Sequence, residues 1–220
     1  MKNKVTRTLI INSIIEKYNY KSYLEIGVQF GYNLDEINCE YKVGVDPWDG
    51  VSFSPELGAT SKMRSRKSMA ITNVMTSDFY FSDYNKLKNE TFDIIFIDGA
   101  HVFSNVFRDI SNSIKVLNDG GTIVLHDMLP LTEKAQLPYV QPGTWNGDSW
   151  KAFVKARQFF GSQFEFFVID EDEGCGVIRK SNVCSALDFI PDSKLTWDNF
   201  VINKKDWMNT ITYEEFQRRI

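Results

Sequence analysis

The sequence is short of the residue types that usually announce a class. It has three cysteines in 220 residues, Cys39, Cys175 and Cys184, odd in number and far apart. That argues against a secreted disulfide framework and suits reduced thiols, so a cytoplasmic location is expected. Basic charge is not in surplus either, with 25 Lys and Arg against 29 Asp and Glu. Affinity for nucleic acid rests on phosphate contacts and needs such a surplus, so no general nucleic-acid partner is expected. No apolar run approaches the ~18 residues of a membrane helix. Near the N-terminus Asn12, Ser13, Glu16 and Lys17 break up the run Leu9 to Ile11, so neither a membrane nor an export segment is read there. Histidine is scarcest of all, with only His101 and His126.

Both histidines fall within Thr91 to Met128, where two strand-like runs, Ile94 to Ile97 and Thr122 to Leu125, each end in ionisable groups. The first releases Asp98 and His101, the second His126 and Asp127. Ligands of open α/β sheets bind at the carboxyl ends of strands, so these four residues outline one polar pocket.

The rest of the chain reads as a single domain of alternating strands and helices, with a leading helix in 1–19, a core in 20–180 and an extension in 181–220. Val5 to Tyr18 has helical periodicity. Tyr23 to Ile26 reads as a strand ending in the turn Glu25-x-Gly27-x-x-x-Gly31, followed by a short helix over Asn33 to Ile37. Glycine at such a turn lets backbone approach a ligand, although the dinucleotide pattern G-x-G-x-x-G is missing. Tyr41 to Asp46 is a second strand whose final acid stands where a carboxylate accepts hydrogen bonds from a ribose diol; a turn acid before Pro47 is the competing reading. Val51 to Met69 collects Lys62, Arg64, Arg66 and Lys67, a solvated face or a basic flap. A third strand is expected near Ile71 to Met75, then a helix capped by Asp78.

Val102, Phe103, Val106, Phe107, Ile110, Ile114 and Leu117 form a helical stripe, and Asn118 to Gly121 is expected to end that helix. Met128 to Gly147, rich in Pro and Gly, reads as a long lid-like loop leaving the pocket. Asp148 is expected to cap the helix that follows, and Gln163 to Ile169 with Gly176 to Arg179 to form a hairpin closing the sheet edge. The tail reads as loop-rich, with a short last helix opened by the capping box Thr212-x-x-Glu215.

In this order the parts resemble class I S-adenosylmethionine-dependent methyltransferases over roughly Tyr20 to Lys180. Ile97-Asp98-Gly99-Ala100-His101 and Gly120-Gly121-Thr122-Ile123-Val124-Leu125-His126-Asp127 are similar to marks of the branch that includes macrocin O-methyltransferase and related sugar methyltransferases. The resemblance implies a doubly wound, mostly parallel seven-stranded Rossmann-like sheet with its last strand antiparallel. It implies that Glu25, Gly27 and Gly31 line the methionine moiety of the cofactor, with Asp98 beside it, Asp46 the ribose, and Ser77 and Asp78 the adenine. It further implies a divalent metal, Mg²⁺ or Mn²⁺, held by Asp98, Asp127 and the residue at the His126 position, with His101 as base. His126 departs from the branch, which carries Glu there.

Chemically these groups suit methyl transfer to a hydroxyl. Carboxylates are hard ligands for a cation that acidifies the acceptor, and a neutral imidazole can take its proton. Tyr139, Trp145, Asn146, Asp148 and Trp150 are candidates for contacts with a sugar or other small hydroxylated acceptor. Two readings stay open beside this one, an NAD-dependent oxidoreductase and a non-catalytic glycan-binding domain. Self-association into a homo-oligomer is also left open.

Overall fold

The computed structural model describes residues 4–47, 73–84, 89–181 and 183–220, with residues 83 and 84 described for backbone alone. The expected flap over Val51 to Met69 lies outside the described residues, as do the first two residues of the expected third strand.

The elements in chain order are α1 (Arg7–Tyr18), β1 (Ser22–Ile26), α2 (Tyr32–Glu36), β2 (Tyr41–Asp46), β3 (Asn73–Val74), the single turn α3 (Ser77–Phe79) and β4 (Phe92–Ile97). There follow α4 (Phe103–Val116), β5 (Leu117–Leu125), α5 (Ser149–Phe160), β6 (Phe164–Ile169), β7 (Cys175–Lys180), α6 (Trp197–Met208), β8 (Thr210–Ile211) and α7 (Tyr213–Arg219). The sheet order is β3-β2-β1-β4-β5-β7-β6-β8, with β7 antiparallel to both its neighbours. This is the expected doubly wound, mostly parallel Rossmann-like architecture. The order reverses between β1 and β4, and the crevice outside their carboxyl ends is the natural binding site.

Alternation along the central strands builds the two faces. Leu24, Ile26, Ile95, Ile97, Ile123 and Leu125 join one apolar cluster, which includes Val106 and Ile110 of α4 and Phe153 of α5. Tyr23, Ile94, Phe96, Val124 and Phe167 join the other, with Ile10 and Ile14 of α1 and Phe216 of α7. Strands buried on both faces read as continuous apolar runs, which is why β4 is legible as FDIIFI.

Several expectations need correction. Eight strands are found among the described residues rather than seven, because the extension adds β8 alongside β6; β8, not the hairpin, therefore forms that edge. The glycines after α4 do not end it. Leu117 is already extended, and the residues Asn118 to Gly121 lie inside β5, where the pairing with β4 shifts register between Phe92 and Ile94. A Cβ on Gly121 would stand 2.8 Å from the Asp93 carbonyl oxygen, so the irregular strand pairing requires this glycine. The cap of α3 is Thr76, whose hydroxyl accepts from the Phe79 N–H, not Asp78.

Asp148 precedes α5 without capping it through its side chain. Its carboxylate accepts instead from the Phe103 N–H at 2.7 Å, capping α4 across the fold. The tail is not mainly loop: α6 is a twelve-residue helix between Thr196 and a left-handed Asn209, and Phe200 lies 4.4 Å from Trp150, ring centre to ring centre. The capping box at Thr212 and Glu215 forms as read.

Candidate active site

The carboxyl ends of β1, β2, β4 and β5 open onto a cleft of about 720 Å³. Its floor is a backbone approach that only glycine allows. Gly27 has φ 88°, and a Cβ there would stand 2.1 Å from the carbonyl oxygen of Asp98. The turn that follows places the Gln29 N–H on the Asp46 carboxylate at 2.8 Å. Gly31, also left-handed, precedes α2. Glu25 lies under this turn, 1% exposed, with Tyr23 Oη and Asn33 Nδ2 both donating to Oε2. Burial pushes the Glu25 carboxyl up to about 7, against the pull of those two donors.

Across the cleft, Asp98, His101, His126 and Asp127 converge as the strand ends suggested. His101 Nε2 is 3.2 Å from Asp98 Oδ1 and 3.2 Å from Asp127 Oδ2. His126 Nδ1 is 3.5 Å from Asp98 Oδ1 and 3.3 Å from Asp127 Oδ2. His101 and Asp127 reach these positions through left-handed backbone, φ 51° and 65°, a conformation that His and Asp tolerate better than most side chains. Burial alone would raise the Asp98 carboxyl, but the two imidazoles hold it well below the usual carboxylate range. Burial opposes charge on His126, yet Asp98, Asp127 and Asp172 together raise its pKa well above that of a free imidazole. Its neighbour Arg7, with Nη1 2.7 Å from His126 Nε2, shares those carboxylates.

Arg7, Asp172, Glu173 and Asn146 were not among the sequence candidates for this cluster. Arg7 opens α1, and its backbone N–H donates to Asp172 Oδ2 at 2.9 Å. Asp172 and Glu173 come from the turn between β6 and β7, an acidic run legible in the sequence but without a partner there. Fully buried Asn146 donates from Nδ2 to Asp127 Oδ1 at 2.6 Å and to Glu173 Oε2 at 2.7 Å. It thereby fastens the 128–147 loop to the site. Trp145 of that loop stacks on His101 with ring centres 5.1 Å apart. Trp150 belongs to the core, and Tyr139 is exposed.

Ser77 lines the cleft but Asp78 does not. Asp78 faces outward, bonded to Arg108 Nε and Nη2 at 3.0 Å each. The cleft wall near Ser77 carries another acid, Asp109 of α4, 2% exposed and pushed up to about 6 by burial.

One ligand atom each from Asp98, His101 and Asp127 lie within 4.8 Å of one another, a spacing that suits a divalent cation. His101 thus joins the two carboxylates that were expected to be ligands. His126, the expected third ligand, faces Arg7 and Asp172 as well.

A Rossmann-like sheet with a glycine-floored crevice at its switch point, and acids and imidazoles on the next strand ends, defines a methyltransferase-type site. Residues 24–128 match the family model described as a methyltransferase domain. The matched stretch includes the Gly27 turn, Asp46, Asp98, His101, His126 and Asp127. No curated protein gives a significant match. Among solved structures, the O-methyltransferase TomG from Streptomyces achromogenes, in complex with SAM, is 14% identical, with a TM-score of 0.55 over 79% of this chain and 78% of that one. An O-methyltransferase from Bacillus cereus in complex with SAH is 14% identical, with a TM-score of 0.51 over 82% of this chain and 84% of that one. The Podospora anserina methyltransferase PaMTH1, bound to SAH, is 16% identical, with a TM-score of 0.51 over 80% of this chain and 78% of that one. At these identities the likeness is one of fold.

Proposed function

We propose that the protein is an S-adenosylmethionine-dependent O-methyltransferase, assisted by a divalent metal, whose acceptor is a sugar or another small hydroxylated molecule. The observation that carries this reading is the position of Asp98. Its backbone carbonyl packs on the Gly27 turn, on the cofactor side, and its carboxylate meets His101 on the acceptor side. One residue therefore joins the place for the donor to the place for the acceptor. SAM and SAH in the neighbouring structures support the choice of cofactor.

Methyl transfer breaks the bond from sulfonium sulfur to carbon and forms one from oxygen to carbon, and the hydroxyl proton must leave. With Nε2 of His101 directed at Asp98 and Asp127, its Nδ1 is the nitrogen that can receive this proton; Nδ1 is buried and has no hydrogen-bond partner among the described residues. Asp98 and Asp127 would hold the metal, which supplies acidification and orientation of the acceptor hydroxyl, and His101 stays off the metal so that its imidazole can take the proton. The Trp145 ring covers His101 and offers a flat face for stacking a sugar.

Calorimetric titration with S-adenosylmethionine and S-adenosylhomocysteine, followed by labelled-methyl transfer to a panel of glycosides with and without EDTA, tests the reading. Binding of both ligands and EDTA-sensitive transfer are expected. No binding of either removes the reading, and full activity in EDTA removes the metal.

A further inference from the structure

We propose that Asp109 is the specificity-determining residue for the cofactor's base, its carboxylate accepting a hydrogen bond from the exocyclic amino group of adenine. This rests on the cofactor reading above. On α4 the buried positions are Val106, Asp109, Ile110 and Ser113, one helical stripe facing inward. An acid in such a stripe is costly unless something answers its charge. The cation nearest in sequence does not: Arg108 turns outward and is engaged by both oxygens of Asp78. Among the described residues no ion pair reaches Asp109, and the Ser77 hydroxyl is its side-chain hydrogen-bond partner. Asp109 is nonetheless one of the residues that line the cleft. Gly99 packs beside it, its position for a Cβ lying 3.6 Å from Asp109 Oδ2.

The place and the chemistry agree. Ser77 follows β3 by three residues, and β3 pairs with the end of β2 at Asp46 and Val74, so Ser77 and Asp109 lie beyond Asp46 from the Gly27 turn. A ligand running from the Gly27 turn past Asp46 ends here. A phosphate or carboxylate at this end would be repelled, whereas a planar group with an N–H at its edge satisfies the acid. Asp78, where the resemblance put an adenine contact, is turned away, and the acid at this end comes from α4 instead.

The test is calorimetric titration of wild type, Asp109→Asn and Asp109→Ala with S-adenosylhomocysteine and with S-inosylhomocysteine, in which a keto oxygen replaces the amino group. Wild type should prefer the adenosyl ligand by roughly 10- to 100-fold, the range for a hydrogen bond to a charged group. Asp109→Ala should lose most of that preference. Asp109→Asn, which matches the native shape and can donate to the keto oxygen, should narrow or invert it; a purely structural role would leave the ratio unchanged. The Asn variant carries the test if the Ala variant does not fold. Wild type that binds both ligands equally, or variants that keep the full preference, would overturn the proposal while leaving the cofactor reading intact. Wild type that binds neither ligand ends both.

Discussion

The two halves of the cleft treat two pairs of their acids in opposite ways. Around the tips of β4 and β5, Asp98 and Asp127, joined by Asp172 from the turn between β6 and β7, are met by His101, His126 and Arg7, and the carboxyls of Asp98 and Asp172 are held low despite burial. On the side of β1 and α4, Glu25 and Asp109 are met by neutral donors, Tyr23, Asn33 and Ser77, and burial wins, raising them to about 7 and about 6. The first half is an array of charges fixed in place, the arrangement that stabilises charge developing in a reaction. The second has acceptors waiting for N–H or O–H groups, which is what binding a cofactor with ammonium, amino and hydroxyl groups requires.

Substituting one acid from each half should therefore fail differently. The largest effect is expected for Asp127→Asn, a change that keeps the shape and tolerates the left-handed backbone at φ 65°. Turnover should fall by roughly 10²- to 10⁴-fold, the scale of a lost catalytic group, while S-adenosylhomocysteine affinity moves by less than about tenfold, or 1.4 kcal/mol. Comparable losses of affinity and turnover would erase the division between the halves.

Glu25→Gln should produce a smaller effect, visible in stability. The Glu25 carboxyl is raised in the folded state, so that state holds the proton more tightly than the unfolded chain does. Wild-type stability must then decline as pH rises from ~4.5 through about 7, whereas Gln does not titrate. In urea melts the variant should match wild type near pH 4 and exceed it by about 3 kcal/mol at pH 8. A gap independent of pH would mean that burial does not control this acid.

How far the sequence disclosed all this depends on the range of the interaction. The order of strands and helices was legible because β4 and the second half of β5 are nearly continuous apolar runs and α4 carries an apolar stripe. Asp98, His101, His126 and Asp127 were legible because each follows directly on a strand end. Arg7 and Asp172 were not, since their pairing spans the whole chain and neither has a local signature. Asp148 is the reverse case: its place before α5 predicts a local cap, and tertiary packing gave it to α4. Asp109 was not read from the sequence, where the apolar stripe of α4 passes it over; its meaning needed the fold to bury it and Arg108 to be seen turning away.

Asp172→Asn probes the join between the first half and the rest of the fold. Asp172 accepts from the Arg7 backbone N–H and lies 3.6 Å from His126 Nε2, so it docks the start of α1 onto the site. Burial opposes its ionisation, but His126 and Arg7 bring the folded pKa down to about 2, below the ~3.9 of an unfolded aspartate. The stabilisation is therefore full above pH ~4 and disappears as pH falls through about 2, the opposite slope to that of Glu25. Relative to wild type, the variant should be less stable by about 2 kcal/mol at pH 7 and equal to it near pH 2. Asp172 is held by the His126 imidazole, the Arg7 guanidinium and a backbone donor, whereas Glu25 is bonded to neutral donors, so relative to wild type the two variants should diverge in opposite directions as pH rises. Parallel profiles would show that the cations at the β4 and β5 tips do not govern their acids.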